Sequence, residues 1–180
     1  MNEGLIPRRY AKALYEVALE RGRAKALYSM MGSLAKAFET EPGLHATVAN
    51  PFVADSDKVA LLDTAAGASA QDTTFADFLK LLVRNRRIDM AGDIARAYLR
   101  EYRRCNNIRL VTVVSAVPLA PALLDRIKEI VNAHLHGASM EFSTAIDSSI
   151  IGGFVVNIDN ERLDASVSDR LKELRLSLLS

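Results

Sequence analysis

His134 and His136 form a His-x-His pair in a segment of helical periodicity, and Cys105 is the single thiol. Imidazole and thiolate are the usual zinc ligands, and a zinc site takes three or four of them. Side chains two apart on a helix point to different faces. The pair therefore cannot share one metal easily, and His45 is the only other histidine. Thiol reactivity needs an activating environment; no histidine motif lies near Cys105 in sequence, so it reads as a structural thiol. Two carboxylate pairs, Asp55 with Asp57 and Asp159 with Asp164, have the residue type for general acid–base work. Both fall at expected helix starts or loops, where capping accounts for them. Gly152-Gly153 is only a pair: the chain has no GxxxxGK[ST], GxGxxG, GxSxG or HExxH. Neither a phosphate cradle nor a nucleophile elbow is encoded. The two glycines read as a bulge or a close backbone approach at a strand start. No catalytic residue, metal or cofactor is expected, and the chain reads as an interaction protein, not an enzyme.

The remaining concentrated chemistry is cationic. Arg84, Arg86 and Arg87 are followed by Arg96, Arg100, Arg103 and Arg104, interleaved with Tyr98 and Tyr102. One reading is a nucleic-acid or phosphate patch. The other is a solvated helix face, with Asp93 and Glu101 placed to pair and the tyrosines on the apolar stripe. Lys plus Arg number 23 against 22 Asp plus Glu, a net charge of +1, which favours the solvated face over a bulk polyanion binder. The 180 residues, 49% hydrophobic and 25% charged, suit one domain or two small ones and exclude disorder or collagen as a description of the whole. Nothing near the start forms an apolar targeting core. The longest apolar run, Ile150 to Val156, is seven residues with two glycines inside, where a span needs ~20. Any membrane role is therefore expected to be indirect, through a partner.

The elements that must carry these residues change character at Cys105. Before it the period is helical. Pro7 suits an N1 position, with Tyr10, Leu14, Val17 and Ala18 following, and Gly22 closes the helix. Leu27, Met31, Leu34 and Phe38 mark a second helix. Pro42 to Asn50 holds a third, stopped by Asn50-Pro51. Asp55 or Ser56 caps a fourth through Ala66, broken at Gly67 and Ser69. Asp72 or Thr73 caps a fifth with Phe75, Phe78, Leu79 and Leu82, and a sixth runs from Ile88 to Arg104. After Cys105 the period drops to two. Strands are expected at Ile108–Val114, Met140–Ile146 and Phe154–Ile158. A helix introduced by Pro118 and Pro121 carries Leu124, Ile127, Val131 and Leu135, with Gly137 at its end. A last helical stripe runs Val167, Leu171, Leu174 and Leu178, with Ser166 and Asp169 spaced like a capping box. The expected fold is α+β: residues 1–105 a six-helix bundle, residues 106–180 a small mixed α/β module of order β-α-β-β-α.

Several stretches together resemble the delta-subunit family of rotary (F-type) ATP synthases, to which the mitochondrial oligomycin-sensitivity-conferring protein is related. They are Pro7 to Tyr15 (PRRYAKALY), Asn50-Pro51, Phe78 to Arg87 (FLKLLVRNRR), Val111 to Ala116 (VTVVSA), and Ile146 to Val156 (IDSSIIGGFVV) with Leu163 to Ser166 (LDAS), then Arg170, Leu171 and Leu174. They occur in the family's order over nearly the whole chain. The chain departs from the family pattern in three places. Tyr28 lies near the place of a common Trp, Arg86 stands where Gly is common, and Ala165 replaces the Gly of Asp-Gly-Ser. The last two remove residues at ease with φ > 0 and open those links to another shape.

The resemblance implies a non-catalytic stator subunit of the peripheral stalk, at the cytoplasmic face of the cell membrane. The first part would hold the N-terminal helix of an alpha subunit on the catalytic head, in a groove between helices one and five. The matching residues are Tyr10, Ala13, Val17, Phe78 and Leu81. The second part would hold b-type stalk helices, and the head would then not turn with the central shaft. The signature residues Asp147, Gly152, Gly153, Asp164 and Ser166 are expected to serve the fold. The resemblance implies no cofactor, no metal, no nucleic acid, and membrane contact only through partners. The reading from another class is a small helical nucleic-acid-binding regulator using the Arg84–Arg104 patch.

Overall fold

Apolar residues at helical spacing fold as helices from the start of the chain. In the computed structural model these are α1 (Leu5–Glu20), α2 (Ala24–Thr40), α3 (Pro42–Ala49), α4 (Asp55–Ala66), α5 (Thr73–Arg84) and α6 (Ala91–Cys105), with a 3-10 turn at Ile88–Met90. The structure describes residues 4–68, 73–135, 137–159, 161–167 and 169. The chain divides into two compact units, Met1–Arg103 and Arg104–Ser180.

One core holds the first unit together. Leu27, Met31 and Leu34 of α2, Leu62 of α4, Phe75, Leu79 and Leu82 of α5, and Ile94 and Tyr98 of α6 are all fully buried in it. Burying each such side chain stabilises the fold by roughly 1.5–3 kcal/mol before entropy is charged. Tyr98 also needs a partner for its hydroxyl, which donates to Ala24 O at 3.2 Å. Burial, reinforced by Tyr15 and Tyr102, pushes its phenol well above the ordinary range. Tyr28 stacks on Tyr102 at 4.2 Å between ring centroids.

Helix ends show which local signals decide. Pro7 is buried as the third helical residue, not the first, because α1 begins at Leu5; a first-turn N–H has no helical acceptor, so proline is tolerated there. Pro42 does start α3. The cap expected at Asp55 or Ser56 does not form. Ala54 is the N-cap without a side-chain bond, and Asp55 and Asp57 lie inside the first turn, favourably placed against the helix dipole. At the other end, α1, α4 and α5 close in one way. Gly22 and Arg23 donate to Leu19 O and Ala18 O, Gly67 and Ala68 to Thr64 O and Asp63 O, and Arg86 and Arg87 to Val83 O and Leu82 O. Each motif needs a left-handed residue. Two use glycine, and the third uses Arg86 at φ 53°. The exposed arginine adopts there the left-handed conformation that glycine adopts at the other two ends.

The second unit comprises β1 (Ile108–Ser115), α7 (Pro121–His134), β2 (Ser139–Ile146), β3 (Gly153–Ile158) and β4 (Glu161–Ser166), with a 3-10 turn at Ser148–Ile150. The sheet order is β2-β1-β3-β4. β1 and β2 are parallel, and both other pairings are antiparallel. A parallel pair requires a crossover, which α7 supplies. Val111 and Val113 of β1, Ile127 and Val131 of α7, and Val156 of β3 form the core. The fold class is mixed α+β as expected, but the order is not β-α-β-β-α among the described residues. A fourth strand, β4, stands between β3 and the cap at Ser166, in a stretch where no element was expected, so Asp164 lies in a strand. Ser69, Asp72, His136, Arg170, Leu171, Leu174 and Leu178 lie outside the described residues.

A left-handed non-glycine residue is strained by about 1 kcal/mol. Arg86→Gly is therefore expected to raise unfolding stability by about 1 kcal/mol, read as a higher urea midpoint with an unchanged slope.

Candidate functional site

Helix phase places the expected groove residues. Leu14 and Ala18 turn α1 inward, while Phe75, Leu79 and Leu82 turn α5 inward. Residues one position off those stripes must then line the seam. The structure brings Tyr10, Ala13, Val17, Phe78 and Leu81 together along one groove between α1 and α5, joined by Leu14, Arg21, Thr74 and Asp77. Val17 and Leu81 are 39% and 46% exposed, whereas Phe78 is only 3% exposed and forms the floor. The groove encloses about 160 Å³, comparable with the ~150 Å³ cavity that accepts a benzene-sized group. It suits one inserted apolar side chain of a helix whose remaining face lies across the rim.

Both ends of the groove are tied. Asn85 Nδ2 donates to Tyr10 Oη at 2.9 Å. At the opposite end Arg21 pairs with Asp77 at 3.0 Å and donates to Thr74 Oγ1 at 3.4 Å. The two helices are thus held antiparallel from their ends. Arg21, Thr74, Asp77 and Asn85 were not singled out as site residues. Arg21 and Asp77 are 56 positions apart, and no local pattern signals such a pair.

The second group of expected residues gathers at the β3–β4 end. Gly153 pairs with Ser166 at φ 77°, and a side chain there would collide with the Ala165 carbonyl oxygen. Gly152 O accepts from Val167 N–H at 2.9 Å. The Asp164 carboxylate accepts from Ser166 N–H at 2.9 Å and from Arg162 at 2.6 Å. These bonds, Ser166 first and then Arg162, hold its carboxyl down to about 2. Ser166 Oγ accepts from Asp169 N–H at 3.2 Å, the cap bond that the spacing predicts. Asp147 stands apart from this cluster. It accepts from Ser149 N–H at 2.9 Å at the start of the 3-10 turn, and that bonding lowers its carboxyl below the ordinary value.

The other reactive types are accounted for individually. Asp159 pairs with Arg109 at 2.9 Å and accepts from Leu110 N–H at 3.1 Å. Among the described residues no group of three His, Cys, Asp or Glu could hold a metal. The arginine series is partly engaged: Arg96 pairs with Asp93, and Arg103 donates to Tyr28 Oη at 2.8 Å with its guanidinium over that ring. Tyr98 is core and Tyr102 stacks on Tyr28, as their place on the apolar stripe predicts.

Comparison with known proteins gives consistent matches. The family described as ATP synthase delta (OSCP) subunit matches residues 6–178. The chain is similar to an ATP synthase subunit delta of Bacteroides thetaiotaomicron, 38% identical over 176 residues, covering 97% of this chain and 94% of that one. A Microcystis aeruginosa ATP synthase subunit delta is 33% identical over 173 residues, covering 94% and 92%. A chain in the cryo-EM structure of the Toxoplasma gondii mitochondrial ATP synthase hexamer superposes with a TM-score of 0.77 at 22% identity, covering 98% of this chain and 99% of its own. That last likeness is one of fold.

Two outcomes are expected at the β3–β4 end. Gly153→Val should destabilise the second unit by roughly 2–4 kcal/mol, since the obstacle is backbone and the φ is left-handed. Hydrogen exchange should show lost protection in β3 and β4 with α1–α6 unchanged. The second concerns acid. A carboxyl lowered by folding adds stability above its unfolded value and loses it as pH falls through the folded one. For Asp164 that window runs from about 3.8 down to about 2. Asp164→Asn should therefore flatten the acid loss of second-unit stability within that window, as followed by denaturation at successive pH values.

Proposed function

Since this chain belongs to the ATP synthase delta (OSCP) subunit family, it is a non-catalytic peripheral-stalk subunit of ATP synthase, and we propose how its two units share that work. Residues 1–105 hold the head by taking the N-terminal helix of an alpha subunit into the α1–α5 groove. Residues 106–180 hold the b-type stalk helices. The subunit then works at the cytoplasmic face of the membrane as a brace, resisting the torque that the central shaft exerts on the head.

The observation that supports this most is the groove itself, with Tyr10, Ala13, Val17, Phe78 and Leu81 converging on one apolar depression. A helix recognised in a groove is read through apolar anchors at i, i+3, i+4 and i+7. An exposed pair such as Val17 and Leu81 flanking a buried aromatic floor offers surface for such anchors. The brace needs tight, specific contact and no bond-making chemistry. Interfaces of roughly 1,600 Å² reach nanomolar affinity when their anchors are good. Asp147, Gly152, Gly153, Asp164 and Ser166 act through the fold of the second unit, and its contact with the stalk depends on them indirectly. Among the described residues no helix is long and apolar enough to cross a membrane; membrane attachment comes from the complex. The nucleic-acid-binding alternative is not supported.

Leu81→Asp places a charge on the groove wall at a half-exposed site. It should weaken binding of a synthetic alpha-subunit N-terminal helix by roughly 10³-fold, the cost of burying a carboxylate against apolar surface. Titration calorimetry on the full chain measures this, with circular dichroism showing unchanged helix content. Unaltered affinity in the folded variant sinks the groove assignment.

A further inference from the structure

Residues three or four apart share one face of a helix, and on both walls of the α1–α5 groove the outer line of such residues runs from one sign of charge to the other. On α1 the line is Arg9, Ala13 and Val17, ending at Glu20. On α5 it is Asp77, Leu81 and Arg84. The helices are tied antiparallel, Tyr10 to Asn85 and Arg21 to Asp77. Arg9 and Arg84 therefore flank one end of the groove, and Glu20 and Asp77 flank the other. The charges of the two ends are met differently. At the first, Arg8, Lys12, Arg86 and Arg87 stand beside Arg9 and Arg84; all six are exposed, and none has an ion pair among the described residues. Asp89 is the only carboxylate within three residues of any of them. At the second, Asp77 pairs with Arg21 at 3.0 Å and with Lys80 at 3.9 Å, and Glu16 and Glu20 add negative charge. The groove thus has one uncompensated cationic end and one balanced end.

Apolar contact does not fix which way a helix lies in such a groove. Anchors at i, i+3, i+4 and i+7 keep the same spacing when read backwards. Charges at the edge of an interface supply the missing information, because they steer approach and penalise like against like. We propose that the cationic end sets the direction of the docked helix. The occupant is an amphipathic helix with carboxylates beside one end of its apolar stripe, and that end lies between Arg9 and Arg84. This rests on the reading of the groove as a helix-binding site and adds the chemistry and polarity of what it takes. In the reverse direction the same carboxylates would lie beside Glu20 and Asp77, and the six cations would stay unmet. One exposed pair contributes little alone; several at one end, partly shielded from water by the docked helix, separate the two directions.

Two peptides titrated into the full chain test this: a synthetic alpha-subunit N-terminal helix, and a copy with every Asp and Glu changed to Asn and Gln. At about 0.1 M salt, where charges act over ~10 Å, Arg9→Glu with Arg84→Glu should weaken binding of the native helix about tenfold, chiefly through its association rate. Binding of the neutral copy should not change, which also shows that the variant is folded. The loss should vanish near 1 M salt, where the range falls to ~3 Å. A nitroxide on the carboxylate-bearing end of the native helix should broaden the amide signals of residues 9–12 and 84–87 and spare those of 17–20 and 74–77. Broadening at the Glu20 end, or an equal effect of the double variant on both peptides, overturns the inference, even while Leu81→Asp weakens both. If Leu81→Asp weakens neither, the groove reading itself fails and takes the inference with it.

Discussion

Burial of Phe75, Leu79 and Leu82 sets the rotation of α5 about its own axis, and everything the groove presents follows from that rotation. A helix advances 100° per residue, so three side chains committed to the core leave no freedom for the others. Phe78 is carried to the seam and Leu81 to the rim. The same holds for α1, where Leu14 and Ala18 commit Ala13 and Val17 to the facing wall. The groove is thus a by-product of core packing. A change in the core that rotated either helix would reshape the groove without touching a groove residue.

How far the sequence could be read follows the same logic. The ends of α3 and α4, the start of β1 and the introduction of α7 by Pro121 are written in local chemistry: proline at a first turn, glycine past a last one, a run of β-branched residues. The groove set was named through the family resemblance; the two periodic stripes by themselves only point Leu14, Phe75, Leu79 and Leu82 toward a core. Tertiary partners were not legible. Arg21 finds Asp77, and Asn85 finds Tyr10, only after α1 and α5 lie side by side. β4 escaped for another reason. Glu161-Arg162-Leu163-Asp164-Ala165-Ser166 is charged, weak in strand propensity, and ends in residues that resemble a helix cap. What makes it a strand is the ladder offered by β3, and as an edge strand it gains from the charges that disguise it. Ser166 does cap, but from the last position of a strand.

The two units solve burial in different ways. Among the described residues the helical unit gathers six α-helices and a 3-10 turn around one core. The second unit instead packs α7 on one face of a four-stranded sheet, with Ile127 and Val131 against Val111, Val113 and Val156. Gly153 marks a close approach within that sheet. There β4 approaches β3 closely enough that no side chain fits between, which joins the strand pairing to the exact course of the chain that follows it. Arg86 shows the opposite tolerance: an exposed helix end can carry a residue ill-suited to its conformation, because only strain is added and nothing collides.

The two ties across the groove differ in kind. Tyr10 and Asn85 meet as neutral hydrogen-bonding groups, while Arg21 and Asp77 meet as exposed ions. Dissolved salt screens the second and leaves the first almost untouched, over a Debye length that shrinks from about 10 Å at 0.1 M to about 3 Å at 1 M. The seam between α1 and α5 is therefore sensitive to ionic strength at one end only. Concentrated salt weakens only the tie at the C-terminal end of α1, worth at most about 1 kcal/mol for so exposed a pair, while the Tyr10 tie and the buried side chains of α1 and α5 go on holding the groove in shape.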